Sequence, residues 1–149
     1  RGDKQALGSP VMTASFFCPR CWQETDELIT ICPSCSYDRA GDSDLPYEEK
    51  LLGALRHPVR ENRMIAVQML GDLRSRAAIP VFASFLETET DFYFLREIIH
   101  ALGKMGNPDS MRLLRLLKKH KSALIRKAAA EQLLACLREV PIRATDKDE

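Results

Sequence analysis

Apolar residues recur at helical spacing through most of this chain. From Leu51, Leu52 and Leu55 onward they fall on single helix faces, separated by polar positions. The pattern runs from about residue 46 to Pro141 and is broken only by short polar turns. It also repeats. Arg63-Met64-Ile65-Ala66-Val67-Gln68-Met69-Leu70-Gly71 returns 32 residues later as Leu95-Arg96-Glu97-Ile98-Ile99-His100-Ala101-Leu102-Gly103, and after 31 more as Arg126-Lys127-Ala128-Ala129-Ala130-Glu131-Gln132-Leu133-Leu134. Ala78-Ile79-Pro80-Val81-Phe82 matches Ser110-Met111-Arg112-Leu113-Leu114, and Phe85 matches Leu117. A fixed period of this length marks stacked supersecondary units, none of which can bury its apolar face alone.

Each unit reads as helix, tight turn, helix. Gly71 and Gly103 are expected to end the first helices in left-handed backbone. Asn107-Pro108 reads as a cap followed by a first-turn proline. The second helix of unit one should bury Ala78, Val81, Phe82 and Phe85, and that of unit two Ser110, Leu113, Leu114 and Leu117. A half-unit at 46–56 precedes the two pairs, with Asp44 able to cap it and Pro46 in its first turn. A final helix from Ser122, its expected N-cap, to about 138 follows them. The fold class predicted is mostly α: a right-handed α-solenoid of helix pairs over 46–140, with a small β module before it.

Several short sequences carry a family likeness: His57-Pro58-Val59-Arg60, Met69-Leu70-Gly71, Ala78-Ile79-Pro80, Ala101-Leu102-Gly103 and Gly106-Asn107-Pro108. Over about 90 residues the chain resembles the HEAT-like repeats named after phycobilisome lyases. The resemblance implies a scaffold that holds a partner, and no lyase residue is recognisable for transfer.

The most specific chemistry lies ahead of the repeats. Cys18-Pro19-Arg20-Cys21 and Cys32-Pro33-Ser34-Cys35 are two Cys-Pro-x-Cys pairs, ten residues apart. Two such knuckles place four thiolates around one tetrahedral ion. Phe16-Phe17 and Leu28-Ile29-Thr30-Ile31 are β-prone and are expected to form the hairpin arms, with Gln23 to Glu27 as the turn. So short a segment needs the metal to fold. Zn2+ is the first choice, as one structural ion, because four thiolates leave no open position for a catalytic water. Iron takes the same ligand set, a redox dithiol is another use of Cys-x-x-Cys, and disulfides are a further one. The segment 15–37 resembles the short zinc ribbons, in which glycine follows each pair. Trp22 and Ser36 replace those glycines here, so the knuckle geometry is open, and Trp22 and Tyr37 are candidates to pack beside the site.

Composition adds limits. The chain has 149 residues, 45% of them hydrophobic, 29% charged and 7% aromatic, with a net charge of +1. No apolar run reaches the length of about 18 residues that spans a bilayer, and no segment reads as a signal peptide. With cysteines arranged as metal knuckles, a reducing cytoplasmic compartment is expected. Residues 1–14 read as an expression tag before the module, 38–45 as a linker and 141–149 as a disordered tail.

One charged segment stands out. Arg112, Arg115, Lys118, Lys119, Lys121, Arg126 and Lys127 fall within 111–127 without an acidic residue. Arg112, Arg115 and Lys119 are spaced for one exposed helix face, either a partner surface or simply a solvated one. In Asp91-Phe92-Tyr93-Phe94 the aromatic residues are expected in the core, with Tyr93 the one to reach an interface. His57, His100 and His120 are scattered, Cys136 reads as a small buried apolar residue, and no nucleophile, base and orienting group recur together. The reading is a non-enzymatic protein–protein interaction scaffold. Its alternative is a nucleic-acid-associated factor using the basic face 112–127 and the knuckles, against which the near-neutral total charge argues.

Overall fold

The computed structural model describes residues 16–139. The expected tag, residue 15 of the cysteine module, Val140 and the expected tail lie outside them. The chain forms two compact units and passes from one to the other between Leu45 and Pro46.

In the first unit β1 (Phe16–Phe17) and β2 (Glu24–Thr25) pair antiparallel, Phe16 opposite Thr25 and Phe17 opposite Glu24. The second arm is therefore not Leu28–Ile31, as the β-prone run suggested. Two local bonds divert that run: the Leu28 amide donates to Asp26 Oδ1 at 2.9 Å and the Ile29 amide to the Asp26 carbonyl at 3.1 Å. An aspartate bonding its own backbone two residues on makes a turn where a strand would need extended chain. Ile31 instead forms an isolated bridge with Asp38. Residues 38–45 differ from a free linker as well. The Arg39 amide donates to Thr30 at 2.9 Å, Tyr37 donates to Asp42 at 2.5 Å, and Asp42–Asp44 form a 3-10 turn. Asp44 lies in that turn and does not cap the next helix.

The second unit has six helices: α1 (Tyr47–Ala54), α2 (Arg60–Asp72), α3 (Ala78–Thr88), α4 (Phe92–Met105), α5 (Pro108–Leu117) and α6 (Ala123–Arg138). The first-helix row α2, α4, α6 packs side by side, with α3 and α5 against α4. As the central element, α4 buries Phe94, Leu95, Ile98, Ile99, Ala101, Leu102, Gly103 and Met105 and leaves one stripe, Tyr93, Arg96, His100 and Lys104, exposed. A wide apolar face with a narrow polar stripe is the pattern of a helix packed between neighbours. On α3 the buried set is Ala78, Ile79, Phe82 and Leu86, while Val81 and Phe85 are half-buried at its edge. The expected stripe was thus rotated by about one residue.

Side-chain caps stand at the starts of α4 and α5. Asp91 Oδ1 accepts the Tyr93 and Phe94 amides at 2.9 and 3.4 Å, and Asn107 Oδ1 accepts the Ser110 amide at 2.8 Å. Ser122 occupies the N-cap of α6, but its hydroxyl makes no capping bond. What recurs with the period is the residue two before the N-caps of α2, α4 and α6, which accepts an amide: His57 Nδ1 from Val59 at 3.0 Å, Glu89 from Asp91 at 3.2 Å and His120 Nδ1 from Ser122 at 3.1 Å.

The two glycines in the repeat do not do what their position suggested. Gly71 and Gly103 lie inside α2 and α4, and the left-handed residues come three later, at Arg74 (φ 52) and Gly106 (φ 59). Gly71 is needed for closeness: a Cβ there would stand 2.8 Å from the Ala101 Cβ and 2.9 Å from its Cα. The glycine lets α2 and α4 meet nearly backbone to backbone.

Candidate metal centre

Both knuckles are built alike. Around the first, the Cys18 amide donates to Gln23 O at 3.0 Å and the Trp22 amide to Cys18 O at 2.8 Å. Around the second, the Cys32 amide donates to Tyr37 O at 2.9 Å and the Ser36 amide to Cys32 O at 2.9 Å. Each knuckle is the tip of its own small hairpin, one closed by Phe17 and Glu24, the other by Ile31 and Asp38. Trp22 (φ 60) and Ser36 (φ 57) both take the left-handed backbone that glycine takes most easily. The replaced glycines therefore leave the turn unchanged and add local strain.

These turns bring the four sulfurs together. The Sγ atoms of Cys18, Cys21, Cys32 and Cys35 lie within 4.8 Å of one another. Cys18 and Cys35 are 3.6 Å apart, and Cys21 and Cys32 3.7 Å. A disulfide would need about 2.05 Å, and all four thiols are free. A metal–sulfur bond of about 2.3 Å gives a tetrahedral edge of about 3.8 Å, which these two separations approach. The cluster therefore fits a metal ion held by four thiolates. Cys18 and Cys32, the first residue of each pair, are buried, whereas Cys21 is exposed and Cys35 half-buried.

The thiols already differ electrostatically. Burial raises Cys32, but hydrogen bonds from the Cys35 and Ser34 backbone, with help from the neighbouring thiols, outweigh it and bring its pKa down to about 7. Cys35 is pushed up to about 12 by burial, and the other three thiols add to the rise. The packing thus favours ionising Cys32 while opposing a second thiolate beside it. A central cation removes that opposition, because a coordinating thiol gives up its proton.

Side chains from outside the knuckles complete the unit. The Tyr37 hydroxyl, held by Asp42, has a raised pKa, first through that hydrogen bond and then through burial. Arg39 sets its guanidinium 3.9 Å over the Phe16 ring and donates to Glu27 O at 2.7 Å. It ties the second hairpin to the first by a cation–π contact. Nothing in the sequence pattern marked Arg39, which sits in an apparently free polar stretch.

The other residues singled out by sequence are spread over the helical unit. Arg112 and Arg115 are exposed on α5, while Lys119 is exposed in the turn after it, since the helix ends at Leu117. Tyr93 is 57% exposed at the start of α4, with the guanidinium of Arg60 5.6 Å from its ring, and Phe94 is buried. His100 meets Gln132 on α6 at 3.2 Å. Cys136 is half-buried with its sulfur 3.4 Å from Gly103 O, and burial raises its pKa.

Stacked helix pairs of constant period define an α-helical repeat protein. The HEAT-repeat family matches residues 48–135, more than half of the chain, and the chain belongs to that family. No curated protein and no solved structure matches it. Among the described residues no helix is long and apolar enough to cross a membrane.

Proposed function

We propose that this protein is a non-enzymatic interaction scaffold: its HEAT repeats hold another protein, and a zinc-ribbon module at the N-terminal side is folded by one structural Zn2+ on Cys18, Cys21, Cys32 and Cys35. The single observation that carries the reading is the HEAT match over 48–135, since repeats of this kind commonly mediate protein interactions. Zinc is chosen because a four-thiolate set at this spacing is the usual structural zinc site. Reduced cysteines of this kind fit a cytoplasmic setting. Within the HEAT repeats, the Ala-Leu-Gly and Gly-Asn-Pro sequences support the group named after phycobilisome lyases. The nucleic-acid alternative has one feature behind it, the cationic run at 111–127, and enters as an outcome of the test below.

The test is chemical cross-linking of the tagged chain in native lysate, followed by mass spectrometry and reconstitution with the purified partner. A saturable complex whose cross-links map to the helical unit is expected. Capture of nothing that reconstitutes, or a complex that nuclease treatment dissolves, contradicts the scaffold reading.

A further inference from the structure

The cations at 111–127 are unspent. Three ion pairs, Arg60–Asp91 at 2.6 Å, Arg63–Glu89 at 2.7 Å and Lys104–Asp72 at 2.7 Å, all lie outside this segment. Arg112, Arg115, Lys118, Lys119, Lys121 and Lys127 pair with no carboxylate among the described residues, and Arg126 is turned onto the carbonyls of His120 and Lys121 at 2.8 and 2.9 Å. The chain as a whole carries only +1, so the remainder is net acidic and the positive field is local to this face.

The face is also partly apolar. Leu116 is 59% exposed among the α5 cations and Leu124 57% exposed on the first turn of α6. Leu124 lies on the rim of an open pocket of about 280 Å³ whose apolar lining includes Leu86, Leu95 and Ile125. Lys121 and His120 line the same pocket, and the turn that carries them continues directly from Lys118 and Lys119. Glu87 and Glu89 line the pocket as well: Glu89 is already held by Arg63, while Glu87 is exposed. An apolar hollow beside unpaired cations is matched by a segment carrying carboxylates around an apolar side chain. A phosphate backbone would use the cations but has no use for Leu116 or Leu124, and the 111–127 stretch has no Phe, Tyr or Trp on which a base could stack.

We propose that this face, Arg112, Arg115 and Lys119 together with the Leu124 pocket, is the docking surface for an acidic amphipathic peptide segment of a protein partner. The inference rests on the scaffold reading and adds the partner's chemistry. The apolar anchor enters the pocket, and the flanking carboxylates meet Lys119, Lys121 and the α5 arginines.

The experiment pans a random-peptide display library against the intact chain and measures the enriched peptides by fluorescence anisotropy at about 50 and about 200 mM salt. Two variants accompany it, Arg115→Glu with Lys119→Glu, and Leu124→Ser. All three positions are exposed, and circular dichroism checks that both variants fold. Peptides rich in Asp and Glu around one apolar residue are expected. Their affinity should fall about tenfold or more in the charge-reversed variant and several-fold in Leu124→Ser, and it should weaken with salt. No enrichment, enriched peptides lacking acids, affinities unchanged in the variants, or duplex DNA bound more tightly than the peptides would each overturn the proposal. A photo-crosslinking residue placed at Arg115, and separately at Met69, separates this inference from the scaffold reading in lysate. Cross-links at Met69 alone refute the acidic-peptide face and leave the scaffold; cross-links at neither refute the scaffold.

Discussion

Replacing Gly71 by alanine tests whether the repeat period encodes close helix contact. On an isolated helix the change would help, since alanine is favoured over glycine by about 0.5–1 kcal/mol. Here the new methyl would lie 2.8 Å from the Ala101 Cβ and 2.9 Å from its Cα, whereas carbon atoms rest at about 3.5–4.0 Å. Backbone cannot rotate away, so α2 and α4 must part by the better part of an ångström along the tightest interface of the unit. Overpacking of this kind costs about 1–3 kcal/mol, which outweighs the propensity gain and leaves the variant about 1–2 kcal/mol less stable. Gly53→Ala in α1 is the control: nothing lies within 4 Å of its Cβ position, so only the gain remains, up to about 0.5–1 kcal/mol. Gly103→Ala falls between them, because the atom in its way is the end of the Gln132 side chain, which can swing aside. Urea unfolding followed by far-ultraviolet circular dichroism gives all three values. If Gly71→Ala stabilises the protein as much as Gly53→Ala does, the contact argument is wrong.

Four further outcomes are expected from stability measurements. Asp91→Ala removes the cap on Tyr93 and Phe94 together with the Arg60 ion pair, and should cost about 1–2 kcal/mol. Arg60→Leu, which removes the half-exposed pair and the guanidinium beside the Tyr93 ring but leaves the cap, should cost about 1 kcal/mol or less. Arg74→Gly should stabilise by about 0.5–1 kcal/mol, because it puts glycine where the backbone is left-handed and where the next repeat already has Gly106. The Arg63 hydrogen bond, followed by backbone amides, holds Glu89 below its ordinary value of 4.5. A carboxyl lowered in the folded state stabilises above its unfolded pKa and loses that contribution as pH falls through the folded one. Melting curves from neutral pH into acid should therefore show the deficit of Glu89→Gln shrinking below about pH 4.5; a deficit that grows on acidification would reverse the sign.

The helical unit was legible because its signals are local and repeated. The 32-residue echo of Arg63–Gly71 in Leu95–Gly103, and the Asn107-Pro108 start, are written in adjacent residues. The four cysteines were equally plain, since tetrahedral ligation needs two Cys-x-x-Cys turns and little else. What failed depended on particular side-chain contacts that propensity does not carry. Leu28–Ile31 has strand propensity, yet one Asp26 side chain turns the chain out of it. Gly71 looks like a helix terminator until Ala101 of the next repeat is beside it. Residues 38–45 are polar and read as a linker, but Asp42 is a partner for Tyr37, and Arg39 for Phe16. Trp22 and Ser36 could not be judged from identity, because a left-handed φ is a property of the closed hairpin.

The central claim about the site is that four cysteine sulfurs within 4.8 Å of one another exist to hold one ion. Elemental analysis of the freshly purified chain tests it most directly, read beside the number of thiols open to alkylation before and after chelation. One zinc per chain is expected, with Cys136, half-buried and slow to react, the only thiol open to alkylation while the metal is present, and four more exposed when a chelator removes it. A chain carrying no metal, with the knuckle cysteines alkylated at once and its hairpins unchanged by chelation, would contradict it.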